Sequence, residues 1–168
     1  MEGARVNCFP PLANESSRVL ILGSMPGAAS LAAGEYYAHR QNAFWRIMAD
    51  LLGVSREASY AARTQAVLGA GVALWDVMAS CERAGSLDAR IEPGSVVVND
   101  FSLFFRTWPD IACVYFNGAT AESCFRRHVL PGLASGPRQL VRLPSTSPAH
   151  AALSYADKLA AWRSILTR

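Results

Sequence analysis

The stretch "RVLILGSMPG", residues 18–27, joins an apolar run to a turn of small residues and proline. Residues 19–22 are all apolar, which is typical of a strand buried on both faces of a parallel sheet. The glycines that follow permit close approach of the backbone, and Pro26 stiffens the turn. We therefore predict a buried strand over residues 18–24 that opens into a rigid turn.

Three more apolar runs follow at intervals that leave room for helices between them. They cover residues 71–78, 111–118 and 139–148, the last running into a loop rich in proline and serine. Strands that alternate with helices form a mainly parallel sheet covered on both faces. We predict a three-layer α/β/α sandwich around a four-stranded sheet, in a single domain of residues 1–168. Residues 1–17 are expected to be an irregular lead-in, and residues 81–95 a polar loop.

The intervening segments carry helix signals. Apolar side chains at helical spacing predict helices over residues 44–52, 56–68 and 120–130. Asn99 or Asp100 suits the N-cap of a short helix that stops near residue 109. Ser154 and Asp157 match a capping box at the start of the final helix.

The composition is that of a folded protein with little net charge. Of the 168 residues 51% are hydrophobic and 17% charged, and the net charge is +3. This permits an anionic partner without requiring one. The four scattered cysteines have no metal-ligand spacing, so we expect reduced thiols, a cytoplasmic protein, and no metal or cofactor. No apolar run is long enough to span a membrane, and we expect no signal peptide.

The predicted sheet gathers polar groups at one edge. Ligands bind open α/β sheets beyond the carboxyl ends of the strands, and that edge would hold the segments 23–27, 116–118 and 143–150 together with Asp76. The turn is not a phosphate-binding loop, and no nucleophile elbow or close carboxylate pair is present. Chemistry at this edge would therefore depend on neutral amides, backbone donors and water.

Local patterns leave the roles of these residues open. Of Tyr36 and Tyr37, one is expected in the core and the other could stack on a nucleobase. Asn42 precedes a predicted helix, where an N-cap residue belongs. Asn117 ends a strand, where an Asx turn is common. The segment "LPSTSPAH", residues 143–150, suits either a stiff loop or a backbone surface that grips a phosphate chain.

Four motifs taken in order carry a family resemblance. They are "GSMPG", "YYAHRQNAFW", "FNG" and "LPSTSPAH", and together they resemble the uracil-DNA glycosylase superfamily, most of all its hypoxanthine (deoxyinosine) branch, called family six. The similarity extends from Val19 to the final helix. It implies a four-stranded parallel sheet between helices. It also implies a monofunctional glycosylase of base excision repair that flips out a damaged base and hydrolyses its bond to deoxyribose.

The resemblance assigns residues to the base pocket. Where the uracil and mismatch branches have a water-activating Asp or Asn, this chain has Met25, and the hypoxanthine branch places its catalytic Asn at the position of Asn42. Tyr37 matches the aromatic that stacks on the extruded base, and Asn117 matches an amide that binds it. The turn, with Gly23, Ser24 and Met25, would form the pocket floor.

The resemblance also assigns a DNA-binding loop. Its hydroxyls and backbone N–H groups would hold the DNA backbone, through Pro144, Ser145, Thr146, Ser147, Pro148, Ala149 and His150. Arg40 replaces a proline that the family has more often, and it could contact a phosphate. The expected partner is DNA containing a deaminated base, bound by a monomer and with no membrane involved.

Two other functions fit the same residues. One is a uracil or mismatch glycosylase in which another group, such as Asp76, activates water. The second is a non-catalytic module that binds damaged DNA or nucleotides, which the inert Met25 side chain favours. With Met25 unable to polarise water, we rank weak uracil activity above strong uracil activity.

Overall fold

The computed structural model describes residues 3–167 and contains seven strands and six α-helices within that range. In chain order these are β1 (Ala4–Asn7), β2 (Val19–Gly23), α1 (Ala28–Ala33), α2 (Phe44–Leu52), α3 (Tyr60–Gly69), β3 (Val72–Asp76), β4 (Met78–Arg83), β5 (Val97–Val98), α4 (Phe101–Thr107), β6 (Cys113–Asn117), α5 (Ala119–His128), β7 (Gln139–Leu143) and α6 (Tyr155–Trp162).

The central sheet has the strand order β3-β2-β6-β7, and all its pairs are parallel. The register aligns the last residues of neighbouring strands, because Gly23 is opposite Asp76 and Asn117 is opposite Leu143. The four-stranded parallel sheet predicted from the apolar runs is confirmed. The aligned ends bring their following segments to one edge.

Helices cover both faces of this sheet. Along β2, Leu20 and Leu22 pack in a core with α4 and α5, whereas Val19 and Ile21 pack in a second core with α2, α3 and α6. This alternation follows from the two-residue period of a strand. Because both faces are covered, every β2 side chain is buried, and the predicted three layers are confirmed.

A second, antiparallel sheet was not predicted. Its order is β1-β4-β5, so the expectation of an irregular lead-in is wrong for residues 4–7, and the predicted loop begins only after Arg83. The predicted strand 71–78 is interrupted at Val77, where β3 gives way to β4. With four residues, β1 is too short for the alternation of Ala4 and Val6 with polar residues to be a strong signal, and its register comes from pairing with residues more than 70 positions away.

The helix caps agree in part with the sequence patterns. Ser154 Oγ accepts a hydrogen bond from Asp157 N at 3.1 Å, as the capping box predicts. Asp100 caps α4 by accepting from Leu103 N at 3.0 Å. Asn99, the other candidate, instead donates from Nδ2 to the backbone oxygen of Asp76 at 2.7 Å. No helix within residues 3–167 has the length and apolarity needed to cross a bilayer.

Replacing Ser154 with alanine tests the cap of α6. We expect the free energy of unfolding to fall by about 1 kcal/mol, because the first turn loses a side-chain acceptor. Urea denaturation measures this, with Ser102→Ala in the exposed part of α4 as the control. Equal stability of the two variants would show that the cap contributes nothing.

Candidate active site

Gly23, at the end of β2, brings a carboxyl group and a phenol together. A Cβ atom added to Gly23 would lie 2.5 Å from Asp76 Oδ1 and 3.4 Å from the Tyr37 hydroxyl oxygen. Only a residue without a side chain therefore fits here. Three segments distant in sequence thus meet at one point beyond the sheet.

The turn after β2 is fixed on its far side by β4 and the loop that follows. Arg83, which is buried, donates from Nη2 to the Pro26 oxygen at 2.6 Å, and Ser24 Oγ donates to Asp88 Oδ1 at 2.7 Å. The Met25 side chain is buried in the core with Trp75 and other apolar residues. Gly23 and Ser24 therefore form the part of the turn that faces the candidate base pocket. Because the Met25 side chain points into the core, Met25 offers this pocket mainly its backbone.

The two tyrosines divide as the sequence led us to expect. Tyr36 is a core residue, and its hydroxyl donates to the Pro10 oxygen at 3.0 Å. Tyr37 is half-buried, and its ring stacks on Phe44 with a centroid distance of 4.0 Å. Its φ of 55° is positive, which is rare for a residue with a side chain. The structure thus holds Tyr37 in an uncommon conformation at the candidate site.

The hydroxyl group of Tyr37 is buried and has no hydrogen-bond partner of normal geometry within residues 3–167. Burial and the neighbouring Asp76 carboxyl raise the pKa of Tyr37, while the nearby Asn117 side chain opposes them. Tyr37 is therefore a neutral phenol at physiological pH, able to donate a hydrogen bond.

Asn42 lies just before α2, one residue earlier than the cap position. The N-cap residue of α2 is Ala43, so the prediction that Asn42 occupies the N-cap position is wrong. The Oδ1 atom of Asn42 still accepts from Phe44 N at 2.9 Å, which satisfies the first helical N–H. A carboxamide oxygen has a second lone pair, so Asn42 can serve the helix and also accept from a water molecule.

Asn117, at the end of β6, is paired with the loop that follows β7. Its Nδ2 donates to Thr146 Oγ1 and its Oδ1 accepts from Thr146 N, both at 2.9 Å. Only the second Nδ2 hydrogen is left for a base. The expected local Asx turn is replaced by a long-range pair that fixes the loop to the sheet.

The loop after β7, residues 144–150, is anchored along its length. Trp162 Nε1 donates to the Pro144 oxygen at 2.9 Å, and Lys158 Nζ donates to the His150 oxygen at 2.6 Å. Within the loop, Ser145 and Ser147 hydroxyls accept from backbone N–H groups two residues on. Residues 148–150 are exposed. The loop therefore presents a preformed surface to a partner.

Further contacts join the predicted site residues. Ala43 N donates to the Thr146 oxygen at 3.0 Å, which links the segment of Asn42 to the loop. Gly118, with a φ of 97°, lets Ser145 approach, because an added Cβ would lie 3.1 Å from Ser145 Cβ. Arg40 is exposed and makes no ion pair with another residue of the described range 3–167.

Asp76 is the buried acid of the site. Burial and, to a smaller extent, the Asp88 carboxylate raise its pKa to about 7, against the opposing effect of Arg83. The sequence pointed to Asp76 only as a possible water activator, although a carboxyl group that ends a buried strand is itself a signal. No local pattern indicated that Arg83 would hold the turn, because its partner is 57 positions away. In the described part of the chain no cluster of three or more acidic, His or Cys side chains could bind a metal.

Comparisons with known proteins show which proteins this chain is similar to. The family model described as the uracil DNA glycosylase superfamily matches residues 10–166. A hypoxanthine DNA glycosylase of Methanosarcina barkeri is 35% identical over 66% of this chain and 69% of its own length. A hypoxanthine DNA glycosylase of Methanosarcina acetivorans is 32% identical over 67% of this chain and 71% of its own length.

A solved structure is similar over the whole fold. It is the solution NMR structure of a proposed uracil DNA glycosylase from Methanosarcina acetivorans. The TM-score is 0.77 at 27% identity, with 97% of this chain and 99% of that chain covered.

Proposed function

The chain belongs to the uracil-DNA glycosylase superfamily and is a DNA glycosylase, and we propose that it excises hypoxanthine from DNA that contains deoxyinosine. The observation that carries this proposal is the environment of Asn42. Its carboxamide lies in the segment tied to Tyr37 and to the 144–150 loop, while Met25, in the first motif, is buried and cannot activate water.

Asn42 would hold the attacking water. One lone pair of Oδ1 accepts from Phe44 N, and the other can accept from water placed against C1′ of the deoxyribose. A neutral amide does not remove a proton, so it orients the water toward an oxocarbenium-like sugar. The electron pair of the broken bond leaves with the base, which needs hydrogen-bond donors around it. The proton that the water loses as it bonds to C1′ passes through solvent to the departing base anion.

The base would enter between Tyr37 and the strand ends. The Tyr37 ring is supported by Phe44, and its hydroxyl lies beside Gly23, where a side chain would not fit. The free Nδ2 hydrogen of Asn117 and the backbone of the turn offer donors to the base. Stacking of a base on an aromatic ring contributes about 1–3 kcal/mol, which helps to offset the energy of flipping the nucleotide out of the duplex.

The DNA backbone would be held by the 144–150 loop and by Arg40. The loop offers hydroxyls and backbone N–H groups, and phosphate contacts of this kind position a protein on DNA without reading its sequence. The net charge of +3 is compatible with a polyanionic partner. We also propose that the protein acts as a monomer in the cytoplasm, where its four cysteines would remain free thiols.

An alternative within the enzyme class uses Asp76 to activate water for uracil release. With a pKa of about 7, Asp76 would act as a base only in its carboxylate form, so this role predicts that uracil release rises as pH increases through 7. Because the buried Met25 side chain cannot activate water, we expect uracil to be released slowly or not at all.

A lesion panel tests the proposal. Duplexes carrying one hypoxanthine, uracil or xanthine are incubated with the protein, and abasic sites are revealed by alkaline strand cleavage. We expect hypoxanthine to be released fastest, with cleavage at the lesion position only. Release of uracil alone would contradict the proposed substrate, and DNA binding without any abasic product would indicate a non-catalytic module.

A further inference from the structure

Two buried polar atoms beside Gly23 lack hydrogen-bond partners. They are Asp76 Oδ2 and the Tyr37 hydroxyl oxygen, and Arg83 Nη1 is a third such atom within residues 3–167. A buried polar group without a partner costs about 1–3 kcal/mol, so it calls for an explanation. The first two lie at the carboxyl end of the sheet, where a ligand of the proposed reaction would supply partners.

On the basis of the proposed function, we propose that Asp76 binds the extruded base as a neutral carboxylic acid. Its O–H donates to a carbonyl oxygen of the base, and its other oxygen accepts the adjacent ring N–H. Asp76 would thus be a specificity-determining residue. A carbonyl beside a ring N–H is the edge that deamination creates from an amino group beside a bare ring nitrogen. Hypoxanthine, uracil and xanthine all carry this edge, as do guanine and thymine, whereas adenine and cytosine do not, so Asp76 would select against adenine and cytosine.

The position of Asp76 suits this role. It is the last residue of β3 and only 4% exposed, with its Oδ1 against the backbone of Gly23. Its backbone oxygen is fixed by Asn99 Nδ2 at 2.7 Å, and Val77 N donates to the Gly23 oxygen at 2.9 Å. The backbone that carries the carboxyl group is therefore fixed before the base arrives.

The charged and titratable groups around Asp76 determine its protonation. Burial favours the neutral form, Asp88 on the loop after β4 favours it too, and Arg83 on β4 opposes both. Tyr36 and Tyr37, from the segment before α2, interact with Asp76, as does Cys8 after β1. These three groups have raised pKa values and remain neutral, so they place no charge beside Asp76.

A neutral acid is the form that helps bond breaking. Negative charge develops on the base as the bond to C1′ breaks, and a carboxylate in contact with the base would repel that charge. A carboxyl O–H donating to the base carbonyl stabilises it instead. The proton remains on Asp76 throughout, and the electron pair of the broken bond stays on the base.

The pH profile of base release tests the assignment. Single-turnover rates on the hypoxanthine duplex are measured from pH 5.5 to 9 for the wild type, Asp76→Asn, Asp76→Ala and Asp88→Asn. Wild-type release at pH 6 tests the proposed function independently. For the wild type we expect the rate to fall by about tenfold per pH unit above roughly pH 7, as the acid ionises.

The variants separate the proposed role from a structural one. Asp76→Asn keeps a donor and an acceptor that do not ionise, so we expect a rate about tenfold lower at pH 6 and no alkaline fall. Asp76→Ala should lose about 10²–10³-fold at pH 6 and show no alkaline fall of its own. Asp88→Asn removes a charge that raises the pKa of Asp76, so the alkaline fall should begin at lower pH.

Two results would overturn the assignment. One is an Asp76→Asn variant that keeps the wild-type alkaline fall, because another group would then be titrating. The other is an Asp76→Ala variant that releases hypoxanthine at the wild-type rate. If Asp76→Ala does not fold, the profiles of Asp76→Asn and Asp88→Asn decide the question by themselves.

Discussion

Replacing Asn42 with alanine is expected to lower the single-turnover rate of base release by about 10²–10⁴-fold while the protein stays folded. The carboxamide has two tasks in this structure, since Oδ1 accepts from Phe44 N and has a lone pair left for water. Losing the bond to Phe44 should reduce the free energy of unfolding by only about 1 kcal/mol. Rates on a hypoxanthine duplex and a urea melt measure the two effects separately.

Two further variants control this experiment. Asn42→Asp keeps the acceptor for Phe44 N and for water, so it should recover part of the lost activity and the lost stability. Gln41→Ala alters the exposed neighbouring residue and should change neither quantity appreciably. An Asn42→Ala protein that releases base at the wild-type rate would show that Asn42 serves only the start of α2.

The second large effect is a dependence of the free energy of unfolding on pH, caused by Asp76. The pKa of Asp76 rises from 3.8 to about 7 on folding, so between these values the folded state binds more protons than the unfolded state. Stability should therefore fall as pH rises from 4 to 7 and level off above pH 7. The loss attributable to this group is on the order of 4 kcal/mol. Asp76→Asn, which cannot ionise, should be more stable than the wild type at pH 8 and similar to it at pH 4.

Urea denaturation at pH 4, 6 and 8 measures this difference. Asp110→Asn is a suitable control, because Asp110 is exposed and its ion pair with Arg18, at 3.5 Å, contributes less than about 1 kcal/mol. If Asp76→Asn and the wild type were equally stable at pH 8, the carboxylate would be tolerated in the folded state. The neutral acid proposed at the base pocket would then lose its physical basis.

Most of the central sheet was predictable, because its strands are short apolar runs that need both faces covered. Strand β2 is buried at all five positions, which is what a continuous apolar run implies. Strand β1 was not predictable, since Ala-Arg-Val-Asn has no apolar run and its alternation extends over only four residues. β1 forms only because it pairs with β4, and a pairing between residues more than 70 positions apart cannot be recognised from the local sequence.

The same contrast applies to the site. Asn42, Tyr37 and Asn117 stood out because polar or aromatic residues at strand and helix ends are visible in the sequence. Their roles in catalysis remain predictions. What each side chain contacts was not predictable: Asn117 pairs with Thr146, and Arg83 holds Pro26 from 57 positions away. Such pairs arise only when the sheet register brings distant segments together.

The double hydrogen bond between Asn117 and Thr146 has a consequence for how quickly DNA can be searched. Thr146 is 1% exposed and tied to the sheet through both its N–H and its hydroxyl, so the loop carrying it is ordered before any DNA is present. Ordering a flexible loop on binding costs about 0.5–1.5 kcal/mol for each immobilised side chain. In this protein the conformational entropy of the loop is lost when the chain folds, so it is not lost again when DNA binds. Each encounter with undamaged DNA can then begin and end without a folding step, and the protein can leave one site and sample the next at rates limited by diffusion and phosphate contacts.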